Sequence, residues 1–340
     1  MFKSKGNMPR AKDEYLQKKV DPFNPENVNS VEEALEALQG CSFQGRNLGK
    51  GLEVWSQMVS EGPDCLKVLA LAGSMVPSGM AEAICCAIER KMVDIIVSTA
   101  ANITHDLANA LLGQSHYIGS ENETDDDELW DCRINRIYDT YLPEQALYDA
   151  QVLETEMLQE IYVGQDGPVP PSDVFFEIGR RLERRSMVSV AAANNVPLFC
   201  GAHSDSDFGL NLAEAKMKKT VNVVLDEIGD ILKFAELTKK YERHGIIIVG
   251  GGVPRSWAQQ IFPFIDQIDG NAPNRAYNYC LLIQTGIPYD GGMSGTLISA
   301  DKTWGRYAKD VLDVNIWCDA TIAFPLIVTG LVQRMKAGKL

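Results

Sequence analysis

Ile246-Ile247-Ile248-Val249 runs straight into Gly250-Gly251-Gly252, with Pro254 close behind. Four aliphatic residues with no polar interruption read as a strand buried on both faces. Three glycines without a Cβ permit a tight turn and close approach of the backbone to a neighbour. Pro254 suits the first turn of a helix. The order is strand, glycine turn, helix, whose free amides can face a pyrophosphate. The segment lacks G-x-G-x-x-G, so a tight structural turn and a cofactor-facing loop both satisfy it.

The same alternation extends in both directions. Lys67–Leu71 reads as a strand, Gly73-Ser74 as a turn and Met80–Arg90 as a helix. Val93–Ser98 is the next strand, followed by a helix from about Thr104. Further strands are expected at Pro197–Cys200, Tyr279–Ile283 and Val314–Cys318. A long helix is expected over Ala213–Arg243, where Val221, Val224, Ile228, Ile231 and Leu232 share one face. Lys239, Lys240 and Arg243 fit its last turn and Gly245 its stop. Short apolar runs separated by helices indicate an α/β fold with a doubly wound, mostly parallel sheet. Residues 1–30, polar and broken by Pro22 and Pro25, read as an arm, and residues 31–340 as one α/β domain.

Composition narrows the function. With 340 residues, 45% apolar and 23% charged, the chain is neither disordered nor a disulfide miniprotein. A net charge of −14 repels phosphate backbones and favours cationic ligands such as amines, so no nucleic-acid partner is expected. The eight cysteines form no C-x-x-C pair and mostly sit in apolar runs, as reduced buried thiols do. His105, His116, His203 and His244 are scattered, so no metal site is expected. The apolar stretch Ile316–Val332 is interrupted by Asp319, Thr321 and Pro325, and Met1–Arg10 has no apolar core behind its charges. No membrane association and a cytoplasmic address are expected. Glu121–Asp131, dense in acid and lacking the glycine turn of a calcium loop, reads as a solvated loop.

In a doubly wound sheet, ligands bind beyond the carboxyl ends of the strands. Those positions hold Gly73-Ser74-Met75, Thr99-Ala100-Ala101-Asn102, His203-Ser204-Asp205, Gly250–Gly252, Gln284-Thr285-Gly286 and Asp319-Ala320-Thr321. Small residues let a backbone approach a cofactor, and carboxylates accept hydrogen bonds from ribose hydroxyls.

Several strings also match a known family. Ser42-Phe-Gln-Gly-Arg-Asn-Leu-Gly49, Leu71-Ala-Gly-Ser-Met-Val-Pro-Ser-Gly79, Met92–Ala100 and Ile134–Tyr141 carry the likeness. It continues through His203–Ser206, Gly250–Pro254, Met293-Ser-Gly295, Trp304-Gly305 and Cys318–Thr321. From about Gln39 to the C-terminus the chain resembles deoxyhypusine synthase, most closely its bacterial deoxyhypusine synthase-like branch. The resemblance implies a Rossmann-like NAD site and a homotetramer with NAD and polyamine sites at subunit interfaces. It also implies hydride transfer from an amine such as spermidine to NAD, then transfer of a four-carbon fragment through an imine on a lysine. By position it implies cofactor contacts at Gly73, Ser74, Met75, Thr99, Ala100, Asp205, Gly251, Thr285, Gly286, Asp319 and Ala320.

The amine half departs from that pattern. The family's Trp-Gly-Lys reads Trp304-Gly305-Arg306 here, and arginine stays protonated and cannot form an imine. Ala300 and Met293 stand where the family has acids, while Asp290, Ser294 and Gly295 remain. Arg255 and its neighbours follow the triple glycine where the family has a histidine, and Thr104-His105 replaces two acids. Trp304, Arg306, Asp290 and His105 are therefore the candidate catalytic positions, with His105 as the candidate substitute base. Lys302 and Lys309 are near enough to Arg306 to share its face if that segment is helical. The expected function is NAD-dependent chemistry on a small amine or polyamine, altered from aminobutyl transfer by the lost lysine. The alternative is a non-catalytic paralogue acting as a regulatory or structural subunit.

Overall fold

The computed structural model describes residues 15–122, 124–163, 167–271 and 274–340. Residues 1–14 of the expected arm, and Glu123 within the acidic stretch, lie outside the described residues. Six strands form the main sheet: β1 (Cys65–Leu71), β2 (Ile95–Ser98), β3 (Leu198–Phe199), β4 (Arg243–Val249), β5 (Tyr277–Gln284) and β6 (Tyr307–Trp317). Every pairing in it is parallel, and the order is β3-β2-β1-β4-β5-β6. The chain winds outward from β1 to β3, returns to the centre at β4, and winds outward the other way. That is the doubly wound order, with its switch point between β1 and β4.

Both faces of the sheet are covered. Leu69, Leu71, Ile247, Val249, Leu281 and Ile283 point into one apolar cluster. There they meet α1 (Val31–Leu38), α2 (Phe43–Ser60), α3 (Ala81–Glu89), α4 (Ala100–Leu112) and α11 (Ala320–Lys336). Val68, Ala70, Ile246, Ile248, Cys280 and Leu282 point the other way, against Phe234 and Ala258. Successive side chains of a strand face opposite sides, so burial on both sides makes the sequence read as an unbroken apolar run. Between β2 and β4 lie α5 (Glu144–Tyr162), α6 (Pro171–Gly179), α7 (Met187–Ala193), α8 (Asp207–Lys218) and α9 (Glu227–Lys239). The remaining long crossover element, α10 (Gly252–Gln259), leaves the triple glycine.

Four local expectations are corrected. The long helix over Ala213–Arg243 is two helices: α8 ends at Lys219, whose φ is +58°, and α9 starts from Asp226, which accepts from the Gly229 amide at 2.9 Å. Its supposed apolar face is not the buried one, because Ile228 and Leu232 are exposed while Phe234 and Ala235 are buried. Gly245 lies inside β4 rather than at a helix stop; a Cβ there would meet Met58 Sδ at 2.6 Å. The helix expected from Thr104 begins at Ala100, because the Thr99 hydroxyl caps the Asn102 amide at 3.3 Å. Within the acidic stretch, Asp126–Asp131 is a short helix, capped by Asp125, with its acids in the first turn where the helix dipole favours them.

The eight cysteines are unpaired. Cys65, Cys85, Cys200 and Cys280 are buried, and burial pushes their thiols up to about 12. Cys132, by contrast, is exposed. No described helix is long and apolar enough to cross a membrane.

Candidate functional site

The carboxyl edge of the sheet is held level by ladder bonds that run past the strand ends. The Ala72 amide donates to Val249 O at 2.9 Å, Thr99 to Leu71 O at 3.1 Å and Gly250 to Ile283 O at 2.8 Å. Three loops therefore leave the sheet side by side at the switch point. Gly250 has a φ of +80°, and a Cβ there would stand 3.2 Å from the Gly73 amide nitrogen. The two glycine turns are thus in contact, and only glycine fits at 250.

Asn102, 2% exposed on α4, fixes the first of these turns. Its amide donates to Gly73 O at 2.7 Å, and its oxygen accepts from the Val76 amide at 3.2 Å. The sequence marks Asn102 only as a strand-end residue; its signal is an amide side chain in the first turn of the helix that leaves β2. Met75 is buried in the core, so only its backbone can face a ligand, whereas Gly73 and Ser74 stay accessible. Ala100 is buried in the first turn of α4.

On the other side of the switch point, the loop after β5 folds over the triple glycine. A Cβ on Gly251 would meet Ser294 at 2.7 Å, and one on Gly286 would meet the Gln284 Oε1 at 2.8 Å. Thr285 is exposed at the rim. Asp319 caps α11, accepting from the Thr321 amide at 2.7 Å, with Ala320 in the first turn. Asp205 is exposed on the loop after β3. Two buried polar groups at this edge, the Ser98 hydroxyl and the Gln284 amide, have no hydrogen-bond partner among the described residues.

The expected catalytic residues do not converge. Arg306 is buried, donating to Asp301 Oδ1 at 2.7 Å and to Gln259 Oε1 at 3.3 Å. Arg255, 3% exposed, donates to the other Asp301 oxygen at 2.8 Å and to the carbonyls of Ser294 and Thr296. Asp301 is thus shared by two guanidinium groups, and no spacing rule marked it. Trp304, exposed, lies with its ring 5.6 Å from the Arg306 guanidinium carbon. The segment is not one continuous helix: Lys302–Trp304 is a single 3-10 turn, Gly305 ends it in a left-handed conformation, Lys309 lies in β6, and the Lys302 ammonium reaches the Lys309 carbonyl at 3.4 Å.

Asp290 is exposed and caps its own turn, accepting from the Gly292 amide at 2.7 Å. His105 Nδ1 lies 3.0 Å from His116 Nε2, and His116 Nδ1 lies 3.0 Å from the Asn109 amide oxygen. Burial lowers the His105 pKa and pushes His116 down to about 4, so both rings are neutral at neutral pH. No hydrogen bond or ion pair among the described residues joins Asp290 or His105 to Arg306.

Comparison with known proteins places this geometry. The deoxyhypusine synthase family profile matches residues 33–331. The chain belongs to the deoxyhypusine synthase family. A probable deoxyhypusine synthase 2 of Methanosarcina mazei is 32% identical over 317 residues, covering 91% of this chain and 89% of the relative. A protein of the same description from Archaeoglobus fulgidus is 34% identical, covering 86% and 96%. A deoxyhypusine synthase-like protein of the bacterium Chlorobaculum parvum is 30% identical, covering 88% and 85%. Among solved structures, a deoxyhypusine synthase candidate from Entamoeba histolytica superposes with a TM-score of 0.61 at 21% identity, covering 92% and 96%, and so shares the fold. Deoxyhypusine synthases are NAD-dependent transferases, and the doubly wound sheet here has its glycine turns where that fold binds dinucleotides.

Proposed function

We propose that this deoxyhypusine synthase relative binds NAD across the β1–β4 switch point and acts on a small amine without forming an imine at position 306. The observation that carries the reading is the contact of the Gly73 and Gly250 turns at the centre of a β3-β2-β1-β4-β5-β6 sheet. The residues fit a dinucleotide: Gly73, Ser74 and Gly252 offer accessible backbone where a pyrophosphate would lie, with the start of α10 beside them, while Gly251 is buried beneath Ser294. Asp205 and Asp319 offer carboxylates for ribose hydroxyls, and Thr285 a hydroxyl at the rim. NAD, when bound, supplies an acceptor for hydride from the carbon beside an amine nitrogen.

The chain's own residues account for the rest. The exposed carboxylates Asp205, Asp290 and Asp319, in a chain of net charge −14, favour approach of a cationic amine to this edge. Arg306 has no free amine and is already engaged with Asp301, which supports a route without a covalent aminobutyl-enzyme. Assembly as a homotetramer with sites between subunits, in the cytoplasm, completes the reading. Exposed Ile287, Tyr289, Met293 and Trp304 supply apolar surface for such an interface.

One observation favours a second reading, a non-catalytic regulatory or structural subunit. Arg306, Gln259, Asp301 and Arg255 form a buried network where a transferase needs a free amine. Relatives also occur in numbered pairs: Methanosarcina mazei has probable deoxyhypusine synthases 1 and 2. The deciding experiment is incubation with NAD and a panel of amines, following NADH formation and product masses. Reduction of NAD with an oxidised or transferred amine product supports the enzyme; NAD binding without turnover supports the subunit.

A further inference from the structure

Gln284 ends β5 and is only 4% exposed, yet neither its amide nitrogen nor its amide oxygen has a hydrogen-bond partner among the described residues. A buried amide with both ends unpaired is unfavourable, and an apolar residue would fill the same space without that penalty. The position of the group shows where a partner would come from. Alternation along β5 turns Gln284 to the same face as Cys280 and Leu282, the face packed by Ala258 of α10. Its neighbour Ile283 accepts the Gly250 amide, so Gln284 stands one residue beyond the anchor of the triple-glycine turn. Its oxygen lies against Gly286, where a Cβ would come within 2.8 Å of it and 3.2 Å of the Gly295 amide nitrogen.

The chemistry of the side chain limits what can satisfy it. A neutral carboxamide offers a donor and an acceptor side by side in one plane. An ammonium would satisfy only the oxygen, and a phosphate only the NH2 group. A flat edge that itself pairs a donor with an acceptor satisfies both, as glutamine does with the edge of adenine. NAD carries two such edges, the aminopurine of one half and the carboxamide of the other.

We infer that Gln284 is a specificity residue that reads one of these donor–acceptor edges when the dinucleotide binds. The inference rests on the NAD reading above and adds a residue to it. The test is calorimetric titration of the parent protein and of Gln284→Leu with three dinucleotides. These are NAD, its 3-acetylpyridine analogue, which lacks the carboxamide NH2, and its 1,N6-ethenoadenine analogue, which blocks the amino edge.

The parent should bind NAD at least about tenfold more tightly than one of the two analogues. Gln284→Leu should bind NAD about ten- to a hundredfold more weakly than the parent and lose that one discrimination, which identifies the edge. Its melting temperature without nucleotide should be unchanged or raised, because no hydrogen bond among the described residues is removed. Equal binding of all three dinucleotides by the parent, or a Gln284→Leu melting temperature lowered by several degrees, would overturn the inference while leaving the NAD reading in place. If the parent binds no NAD, the site reading falls and the inference falls with it. Should Gln284→Leu fail to fold, the parent's preference among the three ligands still decides.

Discussion

The Arg306 guanidinium donates to the Asp301 carboxylate at 2.7 Å inside the protein, with Arg306 8% and Asp301 2% exposed. An ion pair at that depth is a structural commitment. Removing one partner strands the other charge in a medium that solvates it poorly. Here Asp301 also holds Arg255, so a single carboxylate balances two cations beside the loop that covers the triple glycine.

Asp301→Ala should therefore lower unfolding stability by about 3–5 kcal/mol, measured by urea denaturation. Adding Arg306→Met to that variant should recover part of the loss, since one of the stranded charges goes. Equal stability of parent and Asp301→Ala would mean that the network carries no weight.

Restoring a lysine should not restore transfer chemistry. In Arg306→Lys the new ammonium would face Asp301, which favours its charged, non-nucleophilic form. Borohydride trapping after incubation with spermidine and NAD should give no four-carbon adduct on either the parent or the variant. An adduct on Lys302 or Lys309 of the parent, or on Lys at 306 of the variant, would return the protein to the covalent transferases.

Asn102 makes a prediction for the Gly73 turn. Asn102→Ala leaves the Gly73 carbonyl and the Val76 amide without their partner, at a stability loss of about 1–3 kcal/mol. Because those bonds set the shape of the turn, NAD affinity should fall about tenfold in calorimetry. Unchanged affinity would show that the turn does not meet the nucleotide.

Glu154 on α5 sets a pH dependence. It is 1% exposed, accepts from Asn211 at 3.0 Å, and has its other oxygen unpaired; burial pushes it up from 4.5 to about 7. Its folded-state value is raised, so its contribution is fully present below about pH 4.5 and is lost as pH rises through about 7. Glu154→Gln keeps the acceptor for Asn211 and cannot ionise. It should exceed the parent in stability at pH 8 by on the order of 2–3 kcal/mol and converge with it near pH 4.5. Denaturant midpoints across that range check the sign. A variant less stable than the parent at pH 8 would contradict it.

The sheet was legible where its strands are buried on both faces, as Lys67–Leu71 and Ile246–Val249 are. The first half of β6 was not, because Lys309 and Asp310 are exposed on an edge strand and break the apolar pattern. The strand order was hidden too, since each pairing joins residues far apart in sequence. At the carboxyl edge of the sheet, small residues and caps marked Gly73, Thr99, Gly250 and Asp319 correctly as strand-end positions. The amine half was opaque for a different reason. Whether Arg306 faces solvent or a buried carboxylate depends on Asp301, one residue past Ala300, and nothing in the local spacing reports that turn. Gly245 misled for a similar reason: it is small because Met58 packs against it, not because a helix ends there.

A crystal structure of the protein grown with NAD tests the central claim most directly. The account predicts the pyrophosphate over the touching glycine turns, against Gly73–Ser74 and Gly252 at the start of α10, with the Arg306–Asp301 pair unbroken. Nucleotide density at any other place on the chain, or none at saturating NAD, would contradict it.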